Sequence, residues 1–217
     1  MNVLEVDNIE LKFGKQQILN SIYVKVEKGK ILGILGRNGC GKTSLLRIIF
    51  GELKPQNKLI RIDNKPLLKP LYKKGKCSYL TQFNLFPNSF TIKDCFYYYS
   101  IDLKEFLNQF NDFKKKINEQ LYTFSGGERR LLEIYCMLNT ASKIVLLDEP
   151  FSHLAPVYVE KIISILQKKK EEKIIVITDH LFEHSLTIAD DLYLIKNGWS
   201  KKINKREDLI FYNYIRE

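Results

Sequence analysis

Eight consecutive residues, Gly36-Arg37-Asn38-Gly39-Cys40-Gly41-Lys42-Thr43, match the pattern G-x-x-x-x-G-K-[ST] in full. Glycines let a backbone curl tightly enough for successive N–H groups to converge on a phosphate. The apolar run Ile31–Leu35 leads into the motif, and Ser44 to Phe50 follow at helical spacing. The turn therefore joins a buried strand to a helix N-terminus, whose dipole favours anions. Lys42 is placed to reach β- and γ-phosphates, and the Thr43 hydroxyl to hold Mg²⁺. A glycine turn with a merely solvated lysine would not need the strand and helix on either side. The stretch Gly36, Asn38, Gly39, Cys40, Gly41, Lys42, Thr43 and Ser44 is thus expected to cradle a nucleoside triphosphate. Cys40 has two readings: a thiol whose pKa is lowered by the nearby helix N-terminus, or a filler of a small-residue slot.

A second phosphate-type nest lies far along the chain. Ser125 has the form of an N-cap, Gly126 and Gly127 open a helix, and Glu128 follows three positions after the serine. Two strand ends also carry chemistry. Ile144–Leu147 delivers the adjacent acids Asp148 and Glu149, and Ile174–Thr178 delivers Asp179 and His180. An apolar strand presenting a carboxylate at its C-terminal end suits a metal-bound phosphate. Phe13, at the end of a strand before Gly14, is either an aromatic that stacks on a base or a core residue. Gln82 closes another β-like stretch, Cys77 to Leu80.

The elements that must position these groups alternate. Strands are expected at residues 3–6, 9–13, 22–26, 31–35, 59–62, 77–80, 144–147 and 174–178. Helices are expected after Lys42, from 91 to 120 with Thr91 and Asp94 as a capping pair, after Ser125, from about Pro156 to Lys170, and near Asp208–Ile215. Asn197-Gly198 marks a hairpin. Ligand groups at the ends of alternating β and α units indicate a mostly parallel sheet flanked by helices. The segment from Phe83 to Phe90 is loop-like and aromatic, which fits a partner surface or a small satellite core equally.

At 217 residues, 45% hydrophobic and 28% charged, the chain has room for one sizeable core with a small lobe. No apolar run reaches the roughly 18 residues a bilayer crossing needs, and Met1–Asp7 lacks a signal-peptide pattern. If the protein works at a membrane, another chain spans it. Cys40, Cys77, Cys95 and Cys136 form no C-x-x-C pair, so neither zinc nor a disulfide framework is expected, in keeping with a reducing cytoplasm. Net charge is +10, but the lysine clusters are scattered and lack aromatic interleaving, so they are expected to be solvated rather than to bind nucleic acid.

The ordered set Gly36–Thr43, Gln82, Ser125-Gly126-Gly127-Glu128, Ile144–Glu149 and His180 resembles the ATP-binding cassette (ABC) ATPases, the nucleotide-binding subunits of ABC transporters. The likeness runs from Phe13 to the Asn197-Gly198 hairpin. It implies a P-loop NTPase core with a mostly parallel sheet, an N-terminal antiparallel β subdomain and a small α-helical subdomain. The expected division is a single ATPase domain, with about 1–82 and 140–217 as the catalytic lobe and about 83–139 as the helical lobe. By resemblance, Phe13 stacks on adenine, Lys42 and Thr43 contact phosphate and Mg²⁺, and Gln82 senses Mg²⁺ and the γ-phosphate. Asp148 is the metal-binding acid at the strand end (Walker B), Glu149 the general base, and His180 the γ-phosphate switch. Ser125, Gly126, Gly127 and Glu128 of one copy close on ATP held by another, in a homodimer or heterodimer that drives an integral membrane permease. The location implied is cytoplasmic, peripheral on the inner face of the cell membrane.

The chain departs from that pattern in two places. Ala155 stands where the family usually has Asp, and Ser125 follows Gln82 by 43 positions, a short helical lobe. The Ser-Gly-Gly-Glu-Arg-Arg stretch and the Thr-Asp-His end resemble the lipopolysaccharide-export and branched-chain-amino-acid branch. Rival readings are a soluble ATPase switch acting on nucleic acid or ribosomes, and a binding-only partner subunit marked by Ala155.

Overall fold

The computed structural model describes residues 1–179 and 182–215, the side chains of Lys74 and Phe182 excepted. His180 therefore lies outside the described residues. Among the described residues no helix is long and apolar enough to cross a membrane.

Two sheets organise the chain. The first is antiparallel, in the order β2-β1-β4-β5, built from β1 (Val3–Phe13), β2 (Gln16–Glu27), β4 (Asn57–Ile62) and β5 (Lys65–Pro66). Strand β1 is one element where two were expected. The expected gap falls at Asn8, whose φ of +50° accompanies a shift in pairing register between Val6 and Ile9, so a bulge bends the strand without ending it.

The second sheet runs β10-β9-β3-β8-β7-β6. Its members are β3 (Ile31–Leu35), β6 (Cys77–Leu80), β7 (Ile144–Asp148), β8 (Ile174–Asp179), β9 (Asp191–Lys196) and β10 (Trp199–Ile203). All pairs are parallel except the β9–β10 hairpin at Asn197-Gly198. Strands β3, β7 and β8 are buried along their whole length, which is why they read as continuous apolar runs. Alternate residues feed opposite cores. Ile144, Leu146, Ile174 and Val176 pack with the antiparallel sheet and helix α1 (Lys42–Phe50). Val145, Leu147, Ile175 and Ile177 pack with the helices on the other face.

Those helices are α2 (Ile92–Tyr99), α3 (Leu103–Gln109), α4 (Gly126–Asn139) and α5 (Pro156–Lys169). Helices α6 (Phe182–Ile188) and α7 (Arg206–Phe211) complete the chain. The single helix expected over 91–120 is instead α2, α3 and a 3₁₀ stretch, Asn111–Lys116. Ser100 ends α2 in the left-handed region, and the Asp102 side chain caps α3. The breaks let Phe96, Phe106, Phe110 and Phe113 turn inward around Tyr135 of α4, with ring centroids 4.9–6.3 Å apart for the pairs in contact. Burying four aromatic rings outweighs the few hydrogen bonds a straight helix would add. The 83–90 segment divides between its two readings: Phe86 joins this core, whereas Phe83 is 82% exposed.

Candidate functional site

The glycine turn leaves β3 and enters α1 at Gly41, whose φ of +104° is strained for any side chain. A Cβ there would also fall 2.6 Å from Leu19 Cδ2, so the turn admits only glycine. Helix α1 has no side-chain cap and no acid in its first turn. Its terminal N–H groups and positive dipole end are left for a ligand. Lys42, 5% exposed, donates from Nζ to the Gly36 carbonyl at 2.8 Å and lies 3.8 Å from Glu149 Oε1.

A cleft of about 500 Å³ collects most of the residues expected to hold the nucleotide. Asn38, Gly39, Gly41, Lys42, Thr43 and Ser44 line it from the turn, Phe13 from the end of β1, and Gln82 and Glu149 from the ends of β6 and β7. Phe13 is half exposed there, not in the core. Asp148 is fully buried beside the cleft-lining Glu149. Its Oδ1 accepts from Thr178 Oγ1 at 2.6 Å and its Oδ2 from the Tyr79 hydroxyl at 3.4 Å, while burial pushes the Tyr79 phenol well up. Thr178 also fixes Glu149, whose N–H donates to both the Thr178 carbonyl and its Oγ1 at 3.1 Å. Glu149 has φ +47°, a conformation that persists in a non-glycine residue only when its surroundings enforce it. Thr178 and Tyr79 were not singled out from sequence. The available signal was hydroxyls in two buried strands, Ser78 and Tyr79 in β6 and Thr178 in β8.

The donors present suit a hard cation: a hydroxyl at Thr43, an amide oxygen at Gln82 and a carboxylate at Asp148 are all oxygen ligands, of the kind Mg²⁺ takes alongside phosphate and water. The buried Asp148 carboxylate, held by two hydroxyls, is the group such an ion would suit.

Gly36 and Cys40 sit apart from the cleft. A Cβ at Gly36 would fall 2.3 Å from Cys40 Sγ, and Cys40 lines a separate cavity of about 300 Å³ with Arg37, Lys196 and Tyr214. Of the two readings of Cys40, the space-filling one holds. Burial raises the thiol pKa, and the opposing pull of Lys42 and of backbone N–H groups does not compensate. Cys40 behaves as a space-filling thiol, and its own N–H donates to the Arg37 carbonyl at 3.1 Å.

The second nest forms as expected. Ser125 Oγ accepts from the Glu128 N–H at 3.2 Å, and Glu128 Oε2 accepts from the Ser125 N–H at 2.9 Å, a reciprocal cap. Lys116 Nζ lies 2.7 Å from Glu128 Oε1. Burial opposes the charge on Glu128, yet Lys116 and Ser125 together hold its carboxyl below the usual range. A Cβ at Gly127 would lie 2.6 Å from the His153 carbonyl oxygen, so the nest packs directly on the loop after β7. Gly126 lines a cavity of about 280 Å³ with Gln82, Arg130, Glu149 and His153. Gln82 and Glu149 thus border both cavities, but among the described residues no nest residue lines the cleft and no turn residue lines the nest's cavity. Ala155 is the N-cap of α5 and supplies no side-chain acceptor.

Comparison with known proteins bears on the family and the fold. The family model described as ABC transporter matches residues 19–152. The high-affinity branched-chain amino acid transport ATP-binding protein BraG of Pseudomonas aeruginosa is 30% identical over 212 residues, covering 90% of each chain. The arabinose import ATP-binding protein AraG of Mannheimia succiniciproducens is 26% identical over 212 residues, 90% of this chain and 42% of that one. Among solved structures, an ATP binding subunit of an ABC transporter superposes with a TM-score of 0.80 at 19% identity, covering 99% of this chain and 94% of that chain. A bacterial Atm1-family ABC exporter with ATP bound superposes with a TM-score of 0.83 at 19% identity, covering 98% and 40%. With a family model spanning more than half its length and a relative at 30% identity aligned over nine tenths of both, the chain belongs to the ABC transporter family, among its ATP-binding subunits.

Proposed function

We propose that this chain binds and hydrolyses ATP and, by closing on a second ATPase copy, drives a separate membrane-spanning permease from the cytoplasmic face. The observation that carries this reading is the separation of the two nests. One chain builds an uncapped glycine turn facing its own cleft and a Ser125-Gly126-Gly127 nest whose Gly126 lines a different cavity. Each is half of a phosphate site, and a second copy turned head to tail supplies the missing half to each cleft.

In that closed state Phe13 stacks on the base, and the turn's N–H groups and Lys42 hold the phosphates. Mg²⁺, held by Thr43, Gln82 and Asp148, would neutralise charge on the β- and γ-phosphates when bound. Glu149 accepts a proton from the attacking water, and Lys42 stabilises negative charge on the γ-phosphoryl group as its bond to the leaving oxygen breaks. By the family resemblance, His180, outside the described residues, is the γ-phosphate contact. ATP thus holds the two copies together, and hydrolysis releases them. BraG and AraG carry transport and import functions in their names and the Atm1-family relative is an exporter, so the shared element is the ATP-driven motor.

One observation favours a variant of this reading. Ala155 leaves α5 without a side-chain cap on the loop that packs against Gly127, so contact between the two sites of a dimer is altered relative to a chain with Asp there. The test is sedimentation of Glu149→Gln with Mg²⁺ and ATP. The expected result is a stable dimer with bound ATP and hydrolysis slowed at least about 10²-fold. A variant that hydrolyses at the wild-type rate would remove Glu149 from its role.

A further inference from the structure

Arg130 lies one turn into α4, partly buried, and its guanidinium reaches across to the ends of two strands. Nη1 donates to the Thr81 carbonyl at 2.6 Å, and Nη2 donates to the Asp148 carbonyl and, at 3.2 Å, to the Glu149 carbonyl. Thr81 precedes Gln82, so one side chain holds the peptide before Gln82 and the peptides of both acids. Taking a guanidinium out of water is costly unless its fork of donors is satisfied, and three carbonyls satisfy it here. Burial does lower the Arg130 pKa, against the pull of Glu133, Asp148 and Glu149.

The Glu149 backbone is consequently clamped from two sides. Its N–H is held by Thr178 on the neighbouring strand, and its carbonyl by Arg130 on α4 and, at 3.4 Å, by the Ser152 N–H of its own loop. The Thr178 and Arg130 contacts tie the φ of +47°, at which Glu149 Oε1 lies 3.8 Å from Lys42 Nζ, to two neighbouring elements. Loss of Arg130 removes the only one of these holds that comes from α4, so the residue can shift toward a negative φ and turn its carboxylate from Lys42. The same helix also secures the loop beyond Gln82, because Glu133 Oε1 accepts from the Leu85 N–H at 2.8 Å and Arg129 donates to Asn88 Oδ1 at 2.6 Å and to the Phe86 carbonyl. Helix α4, whose N-terminus is the Ser125-Gly126-Gly127 nest, therefore shares one rigid block with the backbone of Glu149.

We infer that Arg130 is a positioning residue that makes the aim of Glu149 depend on the seating of α4, so that closure of the nest on nucleotide is read by the catalytic carboxylate within the same chain. The inference rests on the proposed role of Glu149 and adds a route by which one half-site of a chain senses the other. Nucleotide affinity, which comes from the turn, is not expected to change.

The experiment measures ATP affinity, kcat and thermal midpoint for the full chain carrying Arg130→Met, Arg130→Lys or Glu149→Gln. Arg130→Met is expected to lower kcat about 10- to 100-fold while ATP affinity stays within roughly threefold. Arg130→Lys keeps the charge and can reach one or two of the carbonyls, so its kcat is expected to recover to within about fivefold of wild type. Wild-type kcat in Arg130→Met beside an inactive Glu149→Gln would overturn the inference alone. Equal losses of affinity and kcat in both arginine variants, with a collapsed thermal midpoint, would also overturn it, since that is the mark of a purely structural residue. Wild-type kcat in Glu149→Gln would overturn the base role and this inference together.

Discussion

Helices α1 and α4 both open on glycines, yet their first turns are prepared differently. Helix α1 starts at Gly41 with no side-chain acceptor, no acid and Lys42 as its first residue. Helix α4 starts at Ser125 with a complete reciprocal cap, and the Glu128 that completes it is paired with Lys116. The first arrangement leaves donors and dipole unopposed and adds a cation, so it attracts phosphate by itself. The second already has one N–H satisfied by Ser125 Oγ and a carboxylate in the first turn, so its pull on a free anion is weak. The difference separates two jobs. On the function proposed here, the turn would supply affinity, and the nest would supply closure on a nucleotide that something else has brought.

The sharpest way to break this contrast is to disable the turn. Lys42→Ala should weaken ATP binding about 10- to 100-fold, the worth of charge-assisted hydrogen bonds, measured as the dissociation constant of a fluorescent ATP analogue. Loss confined to hydrolysis, with affinity intact, would contradict the division of labour. Ser125→Ala should do the reverse. It should leave the affinity of the isolated chain unchanged, lower steady-state hydrolysis about tenfold and, by removing a cap of about 1 kcal/mol, lower the melting temperature by about 2–4 °C.

The contrast was partly legible in the sequence, because glycine turns and caps act within four residues. Gly36–Thr43, the Ser125–Glu128 cap and the Thr91–Asp94 cap could all be read from spacing, and each forms. What could not be read depends on distant partners. Thr178 lies 30 positions from Asp148, and its bridge to both acids exists only because β7 and β8 are paired. The breaks near Ser100 and Asp102 follow from four phenylalanines competing for one pocket around Tyr135, a tertiary demand that helical periodicity does not encode. The choice between the two readings of the Cys40 thiol turns on its burial beside Gly36, which proximity to a helix end does not reveal.

The smallest effect tests a third helix start. Helix α5 resembles α1 in lacking a cap, since Ala155 precedes Pro156 and offers no acceptor. Ala155→Asp should add one, raising the melting temperature by about 2–4 °C in a thermal melt and leaving ATP affinity unchanged.

The most direct test of the central claim mixes two broken copies. Lys42→Ala disables the turn, and Gly126→Asp places a carboxylate in the nest at a position where a Cβ meets nothing within 4 Å. Neither variant alone contains an intact composite site. Random pairing makes half the dimers mixed, each with one whole site of two, so an equimolar mixture should recover activity above either variant alone and up to about a quarter of wild type. A mixture no more active than either variant by itself would contradict a nucleotide shared between the turn of one copy and the nest of the other.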